Sequence, residues 1–136
     1  MTDEAQKIAA AVDKIALHQA RRHVFLCLGP RCCTPEVGQA AWDKLKESMR
    51  EAGLKSGPNT CQRTKVGCLR ICTGGPTMLV YPEGTWYRGM NADHIPRFVQ
   101  EHLLENRPIE EWIFATHPLE KESHGSHVAA RSTPDE

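Results

Sequence analysis

The chain has no excess charge of either sign: seventeen Lys and Arg balance seventeen Asp and Glu. That removes the support a nucleic-acid binder draws from surplus cations facing phosphates. It has no long hydrophobic run; the longest aliphatic stretch, Ile8 to Val12, falls far short of a bilayer span. It has no basic leader, since it opens Met1-Thr2-Asp3-Glu4, and the expected location is the cytoplasm. It lacks Cys-x-x-Cys, the spacing that a dithiol oxidoreductase carries at a strand-to-helix junction. It also lacks a Gly-x-Gly-x-x-Gly loop, a phosphate-cradling lysine motif, and a nucleophile with a paired base, so nothing marks an enzyme. What remains is ordinary in bulk. At 136 residues, 40% hydrophobic and 25% charged, it reads as one globular domain with little left over.

Hydrophobic periodicity divides the chain into three parts. Residues 1–20 form a helical extension, with Ile8, Val12 and Ile15 at helical spacing and no Gly or Pro. Residues 117–136 are polar and read as a disordered tail, in which His124 and His127 lack the cysteine or carboxylate company a metal site needs. The domain lies between, at 21–116. His23 to Leu28 is a short apolar run ending at Gly29-Pro30, a buried strand. Thr34 offers an N-cap with Pro35 behind it, and Val37, Ala41, Leu45 and Met49 then follow at four-residue steps up to a stop at Gly53. Thr60 to Val66 and Thr77 to Tyr81 read as strands, and Pro82-Glu83-Gly84 turns the second into Thr85 to Tyr87. Asp93 is placed to cap a last helix bearing Ile95, Phe98, Val99, His102 and Leu103 on one face. A helix between the first two strands makes them parallel, and the hairpin is antiparallel. The expectation is a small α/β sandwich of the thioredoxin-like kind, with a mixed four-stranded sheet and flanking helices.

The informative residues are six cysteines. Cys27 and Cys32 bracket Leu28-Gly29-Pro30-Arg31, with Cys33 adjacent; Cys68 and Cys72 bracket Leu69-Arg70-Ile71 and lead into Thr73-Gly74-Gly75-Pro76. Both pairs sit in Gly/Pro-containing loops after predicted strands. Such loops can wrap a compact inorganic centre, because glycine lets backbone N–H groups approach sulfur without an intervening Cβ. Spacing alone leaves three chemistries open: an iron–sulfur cluster on two separated pairs, a structural zinc site that only holds an interaction module together, and a cysteine-based redox sensor at Cys32-Cys33. Cys61, inside a strand, reads as a small buried hydrophobe.

Several stretches, in order, carry a resemblance. They are His23-Val24-Phe25-Leu26-Cys27, Val66-Gly67-Cys68-Leu69-Arg70-Ile71-Cys72, Gly75-Pro76, Val80 to Tyr87, and Glu101 to Ile109. Together they resemble the thioredoxin-like 2Fe-2S ferredoxins and the related small subunit of respiratory complex I and of NAD-linked hydrogenases, over about His23 to Phe114. The resemblance implies a one-electron carrier, not an enzyme, whose 2Fe-2S cluster is held by Cys27, Cys32, Cys68 and Cys72. Cys33 is the alternative to Cys32, because the four-residue gap after Cys27 is shorter than in many stand-alone members. It also implies a homodimer, redox partner proteins of unspecified identity, and no nucleic-acid or membrane partner. Twenty flanking residues do not match the helical region that precedes the complex I subunit's domain, which favours an independent carrier. Arg31 and Arg70, inside the two loops, are candidates to offset cluster charge, and Pro76 is a candidate cis-proline.

Overall fold

The computed structural model of the chain describes residues 2–119. Five strands form one mixed sheet: β1 (Arg22–Cys27), β2 (Cys61–Val66), β3 (Met78–Tyr81), β4 (Thr85–Tyr87) and β5 (Ile113–Thr116), in the order β2-β1-β3-β4-β5. β1 pairs β2 in parallel and β3 antiparallel. The parallel pair needs a crossover, which helix α2 (Pro35–Glu51) supplies. Its start is the predicted one: Thr34 accepts a hydrogen bond from the Val37 N–H at 3.2 Å, and Pro35 occupies a first-turn position where no N–H is needed. Gly53 follows the helix at φ +72°, a left-handed turn that favours glycine.

The core lies on one face of the sheet. Val24, Leu26, Met78, Val80 and Tyr87 alternate inward along β1, β3 and β4 and meet Ala41, Trp42, Leu45 and Met49 of α2. Helix α3 (Ile95–Phe98), which continues as a π-helical stretch Val99–Leu104, completes this layer with Ile95, Phe98, Val99 and Leu103. The opposite face carries an in-register row, Phe25–Leu79–Trp86, with Phe25 and Trp86 half-buried and Phe114 exposed beside them.

Three sequence expectations change. The sheet has five strands, not four, because Ile113–Thr116 pairs with β4 across an irregular register. Only Ile113 of this strand is even half-buried, so no apolar alternation announces it. Asp93 is not the cap of α3: His94 takes that position, and the Asn91 side chain accepts from the Asp93 and His94 N–H groups. Thirdly, residues 117–119 are held rather than loose. The His117 N–H donates to the Gly84 carbonyl at 2.7 Å and the Leu119 N–H to the Pro82 carbonyl at 3.0 Å. The remainder of the expected tail, with His124 and His127, lies outside the described residues. The helix expected over residues 1–20 forms as α1 (Thr2–Lys14), and Ile8 within it and Ile15 just after it are about half exposed.

A charged network ties the far end of this sheet. The Ile109 N–H donates to the Tyr87 hydroxyl at 3.0 Å, which leaves that hydroxyl to donate to His102 Nδ1 at 2.7 Å. His102 Nε2 then faces Glu83 Oε2 at 3.3 Å, and Arg22 Nε donates to the same oxygen at 2.5 Å. His102, on the apolar face of the last helix, is fully buried and satisfied on both nitrogens.

Candidate metal centre

Strand β1 ends at Cys27, whose N–H donates to the Thr77 carbonyl at 2.9 Å; the Leu28 N–H continues the parallel ladder to the Val66 carbonyl. The chain then turns through Gly29 and Pro30 to Cys32. The second loop leaves β2 at Gly67 and carries Cys68 and Cys72 to Gly74, Gly75 and a cis peptide before Pro76, the isomer expected there. A second cis peptide precedes Pro82.

The two loops touch through glycine backbone. A Cβ on Gly29 would lie 1.8 Å from the Gly67 carbonyl oxygen, and one on Gly75 would lie 2.3 Å from the Cys32 carbonyl oxygen. No side chain fits at either position without the loops moving apart. Between them is a cavity of about 160 Å³ lined by Cys27, Cys32, Cys68 and Cys72 together with Gly29, Pro30, Arg31, Gly67 and Ile71. The four thiols singled out in the sequence thus share one hollow.

They are not equivalent. Cys27 and Cys32 are buried, with sulfurs 3.1 Å apart, whereas Cys68 and Cys72 are exposed. Burial pushes the Cys32 thiol up to about 12, and its hydrogen bond with Cys27 adds to that. At neutral pH Cys32 therefore holds its proton until a bound cation displaces it, as a thiolate-ligated metal does. Cys33 does not line the cavity. Its sulfur is 3.9 Å from that of Cys32 and packs towards Gly38 at the start of α2. Cys61 is buried in β2, where burial likewise pushes its thiol up to about 12.

Sequence reading missed the donor to sulfur in the second loop. It is the Arg70 backbone N–H, 3.2 Å from Cys68 Sγ, with Arg70 held at φ +73°. A non-glycine residue in that region is uncommon, and no sequence pattern reports it. Of the two arginines considered, Arg31 lines the cavity through its own residue, while Arg70 reaches it through its amide.

The donor set suits a compact, thiolate-ligated inorganic group. Among the described residues no three His, Cys, Asp or Glu side chains are gathered about a single point as one metal ion requires. The four thiols instead line one hollow, Cys27 and Cys32 buried with their sulfurs 3.1 Å apart and Cys68 and Cys72 exposed on the other loop.

A mixed sheet with a helix-connected parallel pair defines a thioredoxin-like domain, here carrying four thiols around the hollow between two touching loops. Comparison with known proteins narrows this. No protein-family model matches the chain. It is 27% identical over 99 residues to a 2Fe-2S ferredoxin of Aquifex aeolicus, covering 69% of this chain and 89% of that protein. It is 28% identical over 87 residues to a 2Fe-2S ferredoxin of Clostridium pasteurianum, covering 61% of this chain and 85% of that protein. The solved thioredoxin-like 2Fe-2S ferredoxin of Aquifex aeolicus superposes with a TM-score of 0.61 at 23% identity, covering 74% of this chain and 96% of that structure. The chain has the thioredoxin-like fold, and its sequence is similar to the 2Fe-2S ferredoxins, as its motifs anticipated.

Proposed function

We propose that this protein is a one-electron carrier, a ferredoxin, in which Cys27, Cys32, Cys68 and Cys72 hold a 2Fe-2S cluster. One observation carries the reading: the four thiols come from two loops distant in sequence, yet line a single cavity closed by the Gly29–Gly67 contact. A cluster of this kind supplies reversible uptake of one electron at low potential. The chain's own part is to fix the ligands and stabilise added negative charge. The Arg70 N–H faces Cys68 Sγ, and Arg31 is among the residues lining the hollow. Cys32 is the second ligand and Cys33 is not, since only Cys32 lines the cavity. The protein works in the cytoplasm with redox partner proteins, and transforms no substrate itself. Among the described residues no helix is long and apolar enough to cross a membrane. Two copies pair through the sheet face opposite the helices, where half-buried Phe25 and Trp86 flank the buried Leu79.

Anaerobic purification tests this directly. The expected product is red-brown, with about two irons and acid-labile sulfide per chain and a paramagnetic reduced state. Cys32→Ser, Cys68→Ala and Cys72→Ala lose the colour, whereas Cys33→Ser keeps it. A colourless chain with one zinc makes the site structural, and a metal-free chain cycling with thiol reductants makes it a redox sensor. Either result overturns the proposal. Sedimentation of the coloured protein decides the dimer.

A further inference from the structure

Helix α2 and the edge strand β2 frame a cavity of about 210 Å³ lined by Lys46, Arg50, Lys55 and Arg63. A second hollow, of about 270 Å³, shares Lys55 and Arg63 with it and adds Lys14 and Ile15. Neither lining contains a carboxylate. Lys14, Arg50, Lys55 and Arg63 have no carboxylate partner among the described residues, and Lys46 reaches Asp43 only at 3.8 Å. Arg63 lies over the Trp42 ring, 5.6 Å from its centre, with its Nε buried and without an acceptor. Lys65 flanks the same ring at 5.9 Å and stands one register position before the Cys27–Val66 pair. The cationic row therefore runs down the sheet edge from the cysteine end. Crowding five like charges in a chain with no net charge costs free energy that a bound anion recovers.

Apolar groups interleave with these cations. Ile15 and Leu17 are 49% and 44% exposed, and a third hollow, whose lining also holds the carboxylate Asp13, joins Leu17 to Lys14 and Lys55. An inorganic polyanion gains nothing from exposed aliphatic side chains, whereas a polypeptide bearing carboxylates beside leucine-like groups is matched by both. We infer that this groove along the α2–β2 edge, completed by the end of α1, is a docking surface for an acidic, amphipathic segment of a partner protein. The inference deepens the carrier reading by naming the chemistry of the partner, and it places that partner along an edge leading to the second cysteine loop.

The test uses the full-length, metal-loaded chain and a fluorescein-labelled peptide of mixed Glu and Leu, with an all-Glu peptide of equal length and tripolyphosphate as comparators. The Glu/Leu peptide is expected to bind more tightly than the all-Glu peptide, and to weaken steeply between ~0.05 and ~0.5 M salt. Arg50→Glu combined with Lys55→Glu, both exposed, should weaken it by about tenfold or more. Ile15→Ser should weaken the Glu/Leu peptide and leave the all-Glu peptide unchanged. Absence of peptide binding overturns the inference. So does tripolyphosphate binding as tightly without dependence on Ile15, which marks an inorganic polyanion site. Loss of a dimer in the Arg50/Lys55 variant also overturns it, because the groove would then join two copies. Visible absorption, read on every variant, separates the two claims: a colourless protein fails the carrier reading, and a coloured protein that ignores the peptide fails this one.

Discussion

Gly29→Ala tests whether the metal centre depends on two loops pressed together through backbone. The added methyl would sit 1.8 Å from the Gly67 carbonyl oxygen, where ordinary contact begins at 3.4 Å. Backbone cannot swing aside as a flexible side-chain end can, so the loops must separate by about 1.5 Å. Overpacking of this kind costs about 1–3 kcal/mol, and at roughly 4 °C per kcal/mol the melting temperature should fall by about 4–12 °C. The larger effect is local. Cys27 and Cys32 move with one loop and Cys68 and Cys72 with the other, so a displacement of that size across a cavity of about 160 Å³ breaks the ligand set. The assay is iron content and visible absorption after anaerobic reconstitution, beside thermal melts of the metal-free chains. Gly53→Ala is the control: it is strained at φ +72° but has no atom within 4 Å, so it should lose about 1 kcal/mol and load normally. Normal loading of the Gly29 variant, or equal loss of loading in both, refutes the reasoning.

Three further outcomes follow from the same geometry. Tyr87→Phe strands the buried Ile109 N–H and His102 Nδ1, and should cost about 1–3 kcal/mol in denaturant melts without altering the visible spectrum. Burial alone would raise the Glu83 carboxyl, but hydrogen bonds from His102 and Arg22 outweigh it and hold it at about 2. A carboxyl depressed on folding stabilises the fold above its ordinary value of 4.5 and loses that contribution as pH falls from there towards 2, so urea melts should show Glu83→Gln with a shallower decline over that window. Arg31→Gln removes the positive charge of a residue that lines the cavity and should lower the midpoint potential in voltammetry; an unchanged or higher value removes Arg31 as a source of charge compensation.

Much of the fold was legible because its elements carry strong local signals. Thr34-Pro35 and Gly53 bound α2 by capping chemistry that acts within a few residues, and Pro82-Glu83-Gly84 has the composition of the turn it makes. Strand β5 was invisible for the opposite reason: it is held by backbone pairing to β4 and to the hairpin turn, with little side-chain burial, and pairing partners leave no trace in hydropathy. The same contrast divides the site. The thiols could be found by residue type and spacing. The Gly29–Gly67 approach and the Arg70 amide could not, since both depend on where one loop's backbone falls relative to another atom. The polar network joining Arg22, Glu83, Tyr87 and His102 spans residues 22 to 102, and no local pattern relates them.

That network and the thiols occupy opposite ends of one short strand, and this bears on electron transfer. β1 is six residues long; Arg22 begins it and Cys27 ends it. At its first residue it is clamped to the hairpin turn through Glu83 and to the α3 end through the Leu103 carbonyl and Asn106. Along its length it is flanked by β2 and β3 on both edges. Cys27 is therefore held from behind, and the Cys32 backbone packs against Gly75 of the second loop. Cys68 and Cys72 are exposed, and Ile71 between them is 38% exposed at the cavity mouth. The core-side thiols are buried and tied by backbone pairing, and the solvent-side thiols are exposed. On the carrier reading, ligands tied to the sheet keep the structural change on gaining an electron small, and an exposed pair lets a partner approach the centre from that side. A partner arriving at the Cys68–Cys72 loop meets an exposed aliphatic side chain there, so Ile71→Asp should slow electron exchange with a protein partner while leaving exchange with a small neutral mediator unchanged. Equal slowing of both would mean that the substitution disturbs the centre itself.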